Sequence, residues 1–387
     1  MPNAITVIRY YARVDRDEFL YVALERCAAS LADVIEKPQS FRDLAIAGRK
    51  DLPAVLYQIT NGMNHLHSLR IVHRDLKPQN ILISMGKDGK PRLVVSDFGL
   101  CKKLEGGQSS FGATTGRAAG TTGWRAPELL LDDDRQVNGI MDTDTHSGSG
   151  SVLVPDGMSP NGKRATRAID IFSLGLVFYY VLSNGFHPFD CGDKYMREVN
   201  IRKGNFNLDH LDSLGDWSAE AKDLIASMLD QDPKRRPSAH EILGHPFFWS
   251  PKKRLAFLCD VSDHFEKEPR DPPSAALEHL ESFAPLVVRG DFLKVLPREF
   301  VDSLGKQRKY SGSRLLDLLR ALRNKRNHYE DMTESLQRQV GPLPVGYLSF
   351  WTTRFSNLLL TCWNVVYNMR WEDTDRFREY YEPAGLS

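Results

Sequence analysis

The stretch Ile71-Val-His-Arg-Asp-Leu-Lys-Pro-Gln-Asn-Ile81 decides the fold, because it sets a carboxylate, a lysine and an amide at short, fixed spacings. Asp75 can accept the proton of an attacking hydroxyl, and Lys77 can face the phosphate that is being transferred. Asn80 can hold a metal ion through its amide oxygen. These residue types, in this order, predict a loop for phosphoryl transfer.

A second polar motif follows at the distance that such a loop requires. The run Arg92-Leu-Val-Val-Ser96 is typical of a buried strand, and it leads directly into Asp97-Phe-Gly99. Asp97 would then lie at a strand end, where its carboxylate can ligate a magnesium ion that bridges nucleotide phosphates. Either motif alone would be an ordinary polar turn, so the prediction rests on both occurring together.

Three further motifs stand downstream, in the order Ala126-Pro-Glu128, Asp170-Ile-Phe-Ser-Leu-Gly175 and Asp232-Pro-Lys-Arg-Arg-Pro237. With the two loops they resemble the protein kinases. In that family the arginine that matches Arg236 pairs with the glutamate that matches Glu128. The likeness predicts a kinase large lobe that extends to His245-Pro-Phe-Phe-Trp249.

The resemblance to kinases implies a Ser/Thr kinase that uses ATP and Mg²⁺. It makes Asp75 and Lys77 catalytic residues. It also implies that Lys77, Asn80 and Asp97 contact the bound nucleotide, with Asn80 and Asp97 as the metal ligands.

Composition is that of an ordinary globular chain of two or three domains, with 387 residues, 41% hydrophobic and 26% charged. A net charge of +1 excludes strong electrostatic attraction of nucleic acid by the chain as a whole. Five widely spaced cysteines favour reduced thiols in a cytosol-facing compartment. The most apolar run, Ile171–Leu182, is too short to span a bilayer. We therefore expect a soluble chain with no transmembrane segment.

The beginning of the chain is expected to form two strands, at residues 4–12 and 19–24, around the polar turn Asp15-Arg-Asp-Glu18. They resemble the last two strands of a kinase small lobe and its hinge. Backbone groups near Glu25 and Cys27 would then hold adenine, although an ordinary strand end is the alternative. The glycine-rich loop, the Val-Ala-Ile-Lys lysine and the glutamate-bearing helix of a complete small lobe are not found before this point, which predicts a truncated small lobe.

The segment Gly106–Gly116 is rich in glycine and hydroxyl residues. In kinases such a segment becomes ordered when it is phosphorylated, which makes Ser109, Ser110, Thr114 and Thr115 candidate sites of autophosphorylation. A solvated Gly/Ser linker is the alternative. Residues 131–168 hold few large apolar side chains and are predicted to be a disordered insertion.

The remaining residues, 250–387, are dense with helical patterns and predict a second, all-α domain after a kinase domain at 1–249. The fold class is therefore α+β. A helix from about Ser313 would place Leu315, Leu318, Leu319 and Leu322 on one face, and Arg320, Asn324 and His328 on the other. That polar stripe, with Tyr310 and Arg323 nearby, could cleave RNA by acid-base chemistry, or it could be a solvated basic surface.

A kinase large lobe followed by Trp249, Asp260-Val-Ser-Asp263 and the block from Tyr310 to Tyr329 resembles the inositol-requiring sensor kinase/endoribonucleases of the unfolded protein response. The resemblance implies that Tyr310, Arg323, Asn324 and His328 cleave RNA without a metal cofactor. In that family His328 corresponds to the general acid and Tyr310 to the general base.

The same resemblance implies ATP or ADP, RNA stem-loops and further copies of the chain, as a homodimer or larger homo-oligomer, as partners. It also implies a location on the cytosolic face of the endoplasmic reticulum membrane. The expected function is that of an autophosphorylating kinase coupled to an endoribonuclease. The alternative is a non-catalytic, nucleotide-binding kinase scaffold that orders a ribonuclease dimer.

Overall fold

The computed structural model describes residues 6–86, 89–104, 120–130, 166–305 and 309–383. The candidate phosphorylation sites Ser109, Ser110, Thr114 and Thr115 lie outside these residues, and so do residues 131–165 of the predicted insertion. The chain divides into two compact units. Unit 1 holds Met1–Leu211 and Leu224–Ile242, and unit 2 holds Asp212–Asp223 and Leu243–Ser387.

The β-structure of unit 1 consists of three small antiparallel sheets, with strand orders β1-β2, β3-β5-β6 and β4-β7. The strands are β1 (Tyr10–Arg16), β2 (Phe19–Leu24), β3 (Ala29–Ser30), β4 (Ile71–Val72), β5 (Ile81–Met85), β6 (Pro91–Val95) and β7 (Lys102–Lys103).

The first strand differs from its prediction, because it covers Tyr10–Arg16 and not residues 4–12. The turn is tighter than the four-residue turn expected from the sequence. Only Asp17 and Glu18 lie between the strands, and both have positive φ angles, of 51° and 65°. Two such residues form the kind of hairpin turn whose twist matches that of the strands, so residues up to Arg16 remain paired with β2.

Both faces of the β1-β2 hairpin are open to solvent within the described residues. Every residue of the two strands is exposed. The large apolar side chains among them are Tyr10, Tyr11, Val14, Phe19, Leu20, Tyr21, Val22 and Leu24. An isolated two-stranded sheet is marginally stable in water. The buried residues of unit 1 lie outside the hairpin, where the helices pack against the β5-β6 pair.

The helices of unit 1 and of the segment that joins it to unit 2 are α1 (Leu31–Glu36), α2 (Arg42–Lys50), α3 (Leu52–Ser68), α4 (Ala168–Leu182), α5 (Arg197–Lys203), α6 (Ser218–Met228) and α7 (Ala239–Gly244). Short 3-10 helices lie at Pro78–Asn80, Lys194–Met196 and Asp209–Trp217.

The two central helices of unit 1 follow their sequence patterns. Asp51 caps α3 by accepting a hydrogen bond from the Ala54 amide, and the apolar residues at helical spacing are buried. Helix α4 is buried along its whole length after Ala168. At Gly175 a Cβ atom would come within 2.9 Å of Met228 Cβ, so only glycine allows α4 to pack this closely.

Unit 2 contains only helices in its described residues, apart from an isolated bridge between Arg270 and Pro273. Besides a 3-10 turn at Pro246–Phe248 they are α8 (Pro251–Phe265), α9 (Ala275–Ser282), α10 (Ala284–Val288), α11 (Phe292–Val295), α12 (Arg298–Ser303), α13 (Leu315–Asn327), α14 (Glu334–Val340), α15 (Val345–Thr352), α16 (Leu358–Asn368) and α17 (Arg378–Tyr381).

The core of unit 2 is a single apolar cluster in which α13 packs along α8. Its fully buried members include Phe257, Phe265, Leu318, Leu322 and Trp351. The leucine face predicted for α13 is therefore confirmed. Helix α13 begins two residues later than predicted, at Leu315.

A short segment before residue 249 belongs to unit 2. Within that unit, Arg254 Nη1 donates to Glu220 Oε1 over 3.4 Å, and both side chains are buried. Ser349 Oγ also donates to Asp216. These polar contacts explain why Asp212–Asp223 goes with unit 2. The domain boundary at 249/250 remains a prediction.

Two further features bear on expectations from composition. The five cysteines are free thiols. None of the helices in the described part of the chain has the length and apolar character needed to cross a bilayer.

Candidate active sites

The predicted catalytic loop lies between β4 and β5, and its polar side chains form a closed hydrogen-bonded triangle. Lys77 Nζ donates to Asp75 Oδ2 over 2.8 Å and to Thr121 Oγ1 over 2.6 Å. Thr121 Oγ1 in turn donates to Asp75 Oδ1 over 2.7 Å. Asn80 Nδ2 donates to the Asp75 carbonyl oxygen over 2.8 Å. The structure thus brings together Asp75, Lys77 and Asn80, as predicted, and adds Thr121.

The protonation state of Asp75 follows from these contacts. Burial by itself would raise the pKa of Asp75, but hydrogen bonds from Lys77 and Thr121 outweigh it and leave the pKa below its ordinary value. Asp75 is therefore an ionised carboxylate at neutral pH. It can accept a hydrogen bond from a hydroxyl and orient it.

A buried carboxylate on α4 fixes the backbone of this loop. Asp170 Oδ2 accepts from the His73 amide and Oδ1 accepts from the Arg74 amide, each over 2.8 Å. His67 Nε2 lies 2.9 Å from the same carboxylate. The sequence identified Asp170 only as the first residue of a kinase-like motif, and its role at the loop becomes visible in the fold alone.

The pairing of β5 with β6 brings the two predicted metal ligands, Asn80 and Asp97, to the same end of this strand pair. Ile81 lies opposite Val95, and the Ser96 amide donates to the Asn80 carbonyl over 2.9 Å. Asp97 follows at once, with φ of 63°, a left-handed conformation that aspartate tolerates, and its side chain is exposed.

These two residues fit a magnesium ion. The Asn80 amide nitrogen is engaged with Asp75, so its oxygen points to the other side. Asp97 Oδ1 accepts only a long bond of 3.3 Å from the Gly99 amide. Mg²⁺ is commonly held by one or two such oxygens together with nucleotide phosphates. In the described residues no cluster of three His, Cys, Asp or Glu side chains could hold a metal alone.

The predicted hinge has its own polar anchor. The Glu25 carboxylate accepts hydrogen bonds from Ser84 and Arg92. Burial by itself would raise the pKa of Glu25. The hydrogen bonds from Ser84 and Arg92 and the positive charge of Arg92 outweigh this effect and leave the pKa below its ordinary value. The Glu25 side chain is thus occupied by the β5-β6 pair. Backbone groups near Glu25 and Cys27 therefore remain the predicted contacts of an adenine ring.

The pairing expected for Arg236 is present. Arg236 Nη1 and Nη2 each donate to one oxygen of Glu128 over 2.8 Å, and the exposed fractions of the two side chains are 0% and 3%. Removing one partner from a buried, bidentate ion pair of this kind strongly destabilises the fold, because the other charge stays buried without a partner.

We expect Arg236→Ala to lower the free energy of unfolding by about 3–5 kcal/mol, because it leaves the Glu128 carboxylate buried without its partner. The neighbouring Arg235→Ala is the matched control. Its side chain is 74% exposed, so its ion pair with Asp230 should contribute less than about 1 kcal/mol. Denaturant unfolding of both variants checks this. Equal loss of stability in the two variants would contradict the prediction.

The second candidate site is built around α13 in unit 2. Asn324 Nδ2 donates to the Tyr310 hydroxyl over 2.9 Å. The loop that carries Tyr310 is fixed by Asp317, whose Oδ2 accepts from the Ser311 amide over 2.8 Å. Arg320 bridges Asp317 at 2.7 Å and lies over the Tyr310 ring at 5.7 Å. Sequence analysis missed Asp317, which lies among the buried leucines.

Arg323 is held by one carboxylate within α8 and by the carboxylate of the residue that follows α8. Its Nη1 lies 3.1 Å from Asp263 and its Nη2 lies 3.4 Å from Glu266. Asp263 belongs to the Asp260-Val-Ser-Asp263 motif, whereas the sequence did not predict a role for Glu266. The guanidinium is thus oriented, and a phosphate would compete with these carboxylates for it.

His328 follows the last residue of α13 and is exposed. Its backbone amide donates to the Asn324 carbonyl, and Nδ1 lies 2.9 Å from Asp331 Oδ2. Within the described residues no hydrogen bond joins the His328 side chain to Tyr310, Arg323 or Asn324. The structure therefore places Tyr310 and Asn324 in contact, with His328 one helical turn away.

Comparison with known proteins identifies two domains in the chain. Residues 2–248 match the model of the protein kinase domain, and residues 254–381 match the model of Ribonuclease 2-5A. The chain therefore belongs to the class of proteins in which a protein kinase domain is followed by a ribonuclease domain.

Similar proteins carry both activities in their names. A serine/threonine-protein kinase/endoribonuclease IRE1 of Hypocrea jecorina is 76% identical over 381 residues, which is 98% of this chain and 31% of that protein. The ireA kinase/endoribonuclease of Aspergillus fumigatus is 55% identical over 98% of this chain and 34% of its own length. The human IRE2 kinase/endoribonuclease is 42% identical over 97% of this chain and 37% of its own length.

The chain belongs to the IRE1 family of protein kinase/endoribonucleases. The family and the α+β fold class predicted from the sequence are confirmed. The chain spans about a third of the length of the curated relatives it matches.

Proposed function

We propose that this chain forms the catalytic part of a bifunctional enzyme: an autophosphorylating Ser/Thr protein kinase and a metal-independent endoribonuclease that cleaves stem-loop messenger RNA in unfolded-protein-response signalling. The names of its relatives support the pair of activities. One relative, from Schizosaccharomyces pombe, is named a sensor for unfolded proteins in the ER. The proposed site of action is the cytosolic face of the endoplasmic reticulum membrane.

The observation that carries the kinase half is the triangle of Asp75, Lys77 and Thr121. Asp75 is ionised and would accept a hydrogen bond from the attacking hydroxyl, while Lys77 would face the γ-phosphate. Bound magnesium would supply positive charge to the nucleotide phosphates at Asn80 and Asp97. The protein's own contribution is to hold these groups in place before the substrate arrives.

The ribonuclease half uses the groups around α13. Tyr310, oriented by Asn324 and acting as its phenolate, would take the proton of the 2′-hydroxyl as the 2′-oxygen attacks phosphorus. His328 would give a proton to the 5′-oxygen as the bond between that oxygen and phosphorus breaks. Arg323 and Asn324 would hold the phosphate. The products are a 2′,3′-cyclic phosphate and a 5′-hydroxyl, and no step needs a metal ion. We propose a homodimer or larger homo-oligomer as the active form.

A non-catalytic scaffold remains the second candidate for unit 1. The feature that favours it is the hairpin of β1 and β2, which is exposed on both faces and leads to the hinge at Cys27. In that case nucleotide binding would order the ribonuclease without phosphate transfer. The intact triangle around Asp75 favours the enzyme.

We expect the full-length protein to incorporate labelled phosphate from γ-labelled ATP. We also expect it to cleave a stem-loop RNA in excess EDTA, once dimers are formed by a metal-independent route. EDTA should remove phosphate transfer, because the Asn80 and Asp97 oxygens act on phosphates through magnesium. A heat-inactivated sample is the control. If RNA is cleaved with magnesium present but no phosphate is transferred, the scaffold is favoured. Cleavage that is lost when EDTA removes the metal would contradict the proposed ribonuclease mechanism.

A further inference from the structure

The turn that follows α13 is held by the backbone at three points. The His328 amide donates to the Asn324 carbonyl over 3.1 Å, and the Asp331 amide donates to the His328 carbonyl over 3.3 Å. The Met332 amide donates to the Tyr329 carbonyl over 3.2 Å. His328 and Asp331 therefore sit at opposite ends of one closed turn.

Two other residues of the turn anchor it to unit 2. The Tyr329 hydroxyl donates to the Gly341 carbonyl over 3.0 Å, and Gln337 Nε2 donates to the Tyr329 carbonyl over 3.0 Å. Met332 is buried in the apolar cluster. Because the turn is anchored on both sides, the exposed side chains of His328 and Asp331 are presented outward together.

The contact between the two side chains determines which ring nitrogen of His328 carries a hydrogen. His328 Nδ1 lies 2.9 Å from Asp331 Oδ2, and the exposed fractions of the side chains are 61% and 77%. An ionised carboxylate only accepts hydrogen bonds, so Nδ1 must carry the hydrogen. The other ring nitrogen, Nε2, is then the one that can exchange a proton with substrate.

We propose that Asp331 is a positioning residue of the ribonuclease site: it holds His328 with Nδ1–H on its carboxylate and Nε2 toward the leaving 5′-oxygen. The inference rests on the proposed ribonuclease function. As the bond between phosphorus and the 5′-oxygen breaks, the Nε2 proton of the imidazolium passes to that oxygen. His328 is left neutral as the Nδ1–H tautomer, which Asp331 stabilises. The same logic applies wherever a carboxylate orients a catalytic histidine.

The alternative is an ordinary surface ion pair. Exposed pairs contribute little to folding, so loss of Asp331 should leave the fold intact under either view. The two views differ in the rate of cleavage. They also differ in which part of the reaction is slowed.

The first experiment measures single-turnover cleavage of a stem-loop RNA at saturating enzyme, in the full-length protein. We expect Asp331→Asn to lower the rate about 10-fold to 100-fold with RNA affinity unchanged, because a neutral amide holds the imidazolium less well. Asp331→Glu retains a carboxylate and should recover most of the rate. The matched control is Glu330→Gln, which removes the same charge from an exposed neighbour in the same turn and should stay within twofold of wild type.

The second experiment separates proton donation from any other role. A substrate with sulfur in place of the bridging 5′-oxygen releases a thiolate, which needs no proton. With that substrate, Asp331→Asn and His328→Ala should both cleave at nearly the wild-type rate. If Asp331→Asn slows both substrates equally, Asp331 supports folding or binding and the proposal is overturned.

The two possible failures can be told apart. If His328→Ala slows the oxygen substrate while Asp331→Asn does not, the inference about Asp331 fails and the proposed function stands. If His328→Ala itself cleaves the oxygen substrate at the wild-type rate, the proposed role of His328 fails, and the role of Asp331 fails with it.

Discussion

Cleavage of a stem-loop RNA is expected to be about 10²–10⁴-fold slower in His328→Ala than in wild type, because the variant loses the group that we propose protonates the leaving 5′-oxygen. The His328 side chain is exposed, and only its backbone amide takes part in ending α13. The substitution should therefore leave the fold and the proposed oligomer intact. Single-turnover kinetics at saturating enzyme gives the rate of the chemical step.

The control for this variant is His279→Ala, which removes a histidine from α9 instead. It should cleave at the wild-type rate. A rate for His328→Ala within threefold of wild type would show that His328 is part of a solvated basic surface and takes no part in catalysis.

Autophosphorylation is expected to fall to background in Asp97→Ala, studied in the full-length protein. Asn80 alone offers one neutral oxygen, and a hard divalent cation between phosphates needs a carboxylate as well. The exposed position of Asp97 at the end of β6 means that the fold should tolerate the change. Incorporation of label from γ-labelled ATP measures it.

Mapping of labelled residues provides the sharper measurement. Ser109, Ser110, Thr114 and Thr115 are the expected positions in the wild type and should carry no label in the variant. RNA cleavage by preformed dimers, the proposed active form, should persist, since Asp97 has no role in the proposed ribonuclease mechanism. Label on any of the four residues in Asp97→Ala would show that Asp97 is not the magnesium ligand.

Regular patterns in the sequence predicted the regular parts of the fold. Apolar residues at helical spacing between Leu52 and Leu69 predict α3, and the mainly apolar run Ile171–Leu182 predicts a buried helix where α4 lies. Burial on one face or on all faces leaves a direct trace in residue type. Helix α2 was missed. Phe41, the residue directly before its first residue Arg42, makes no capping hydrogen bond through its side chain, so no cap marks where the helix begins, and Ala45 is its only fully buried residue.

The candidate sites were predicted where their residues are neighbours in sequence. Asp75, Lys77 and Asn80 share one loop, so their spacing alone indicates their chemistry. Thr121 reaches Asp75 across 46 positions, and Glu266 reaches Arg323 across 57. Such contacts depend on how elements pack, which no local pattern records.

One local signal could have identified Thr121. It lies in Gly120-Thr-Thr-Gly-Trp124, directly before the Ala-Pro-Glu motif, and glycines on both sides of a hydroxyl indicate a backbone that must pass close to another group. At Gly120 a Cβ atom would come within 2.8 Å of the Arg74 carbonyl oxygen. The catalytic loop is thus the surface that this segment approaches.

The exposed hairpin of β1 and β2 has a thermodynamic consequence for ligands of the hinge. In the described part of the chain nothing packs on either face of the two strands, so they can open locally at little cost in free energy. The buried helix α4 is expected to exchange its amide hydrogens only when the core of unit 1 opens. Because β2 leads directly to Glu25 and Cys27, adenine bound there as proposed would have to order this strand first. Part of the intrinsic affinity is then spent on conformational entropy, and the nucleotide acts as a folding ligand for the hairpin.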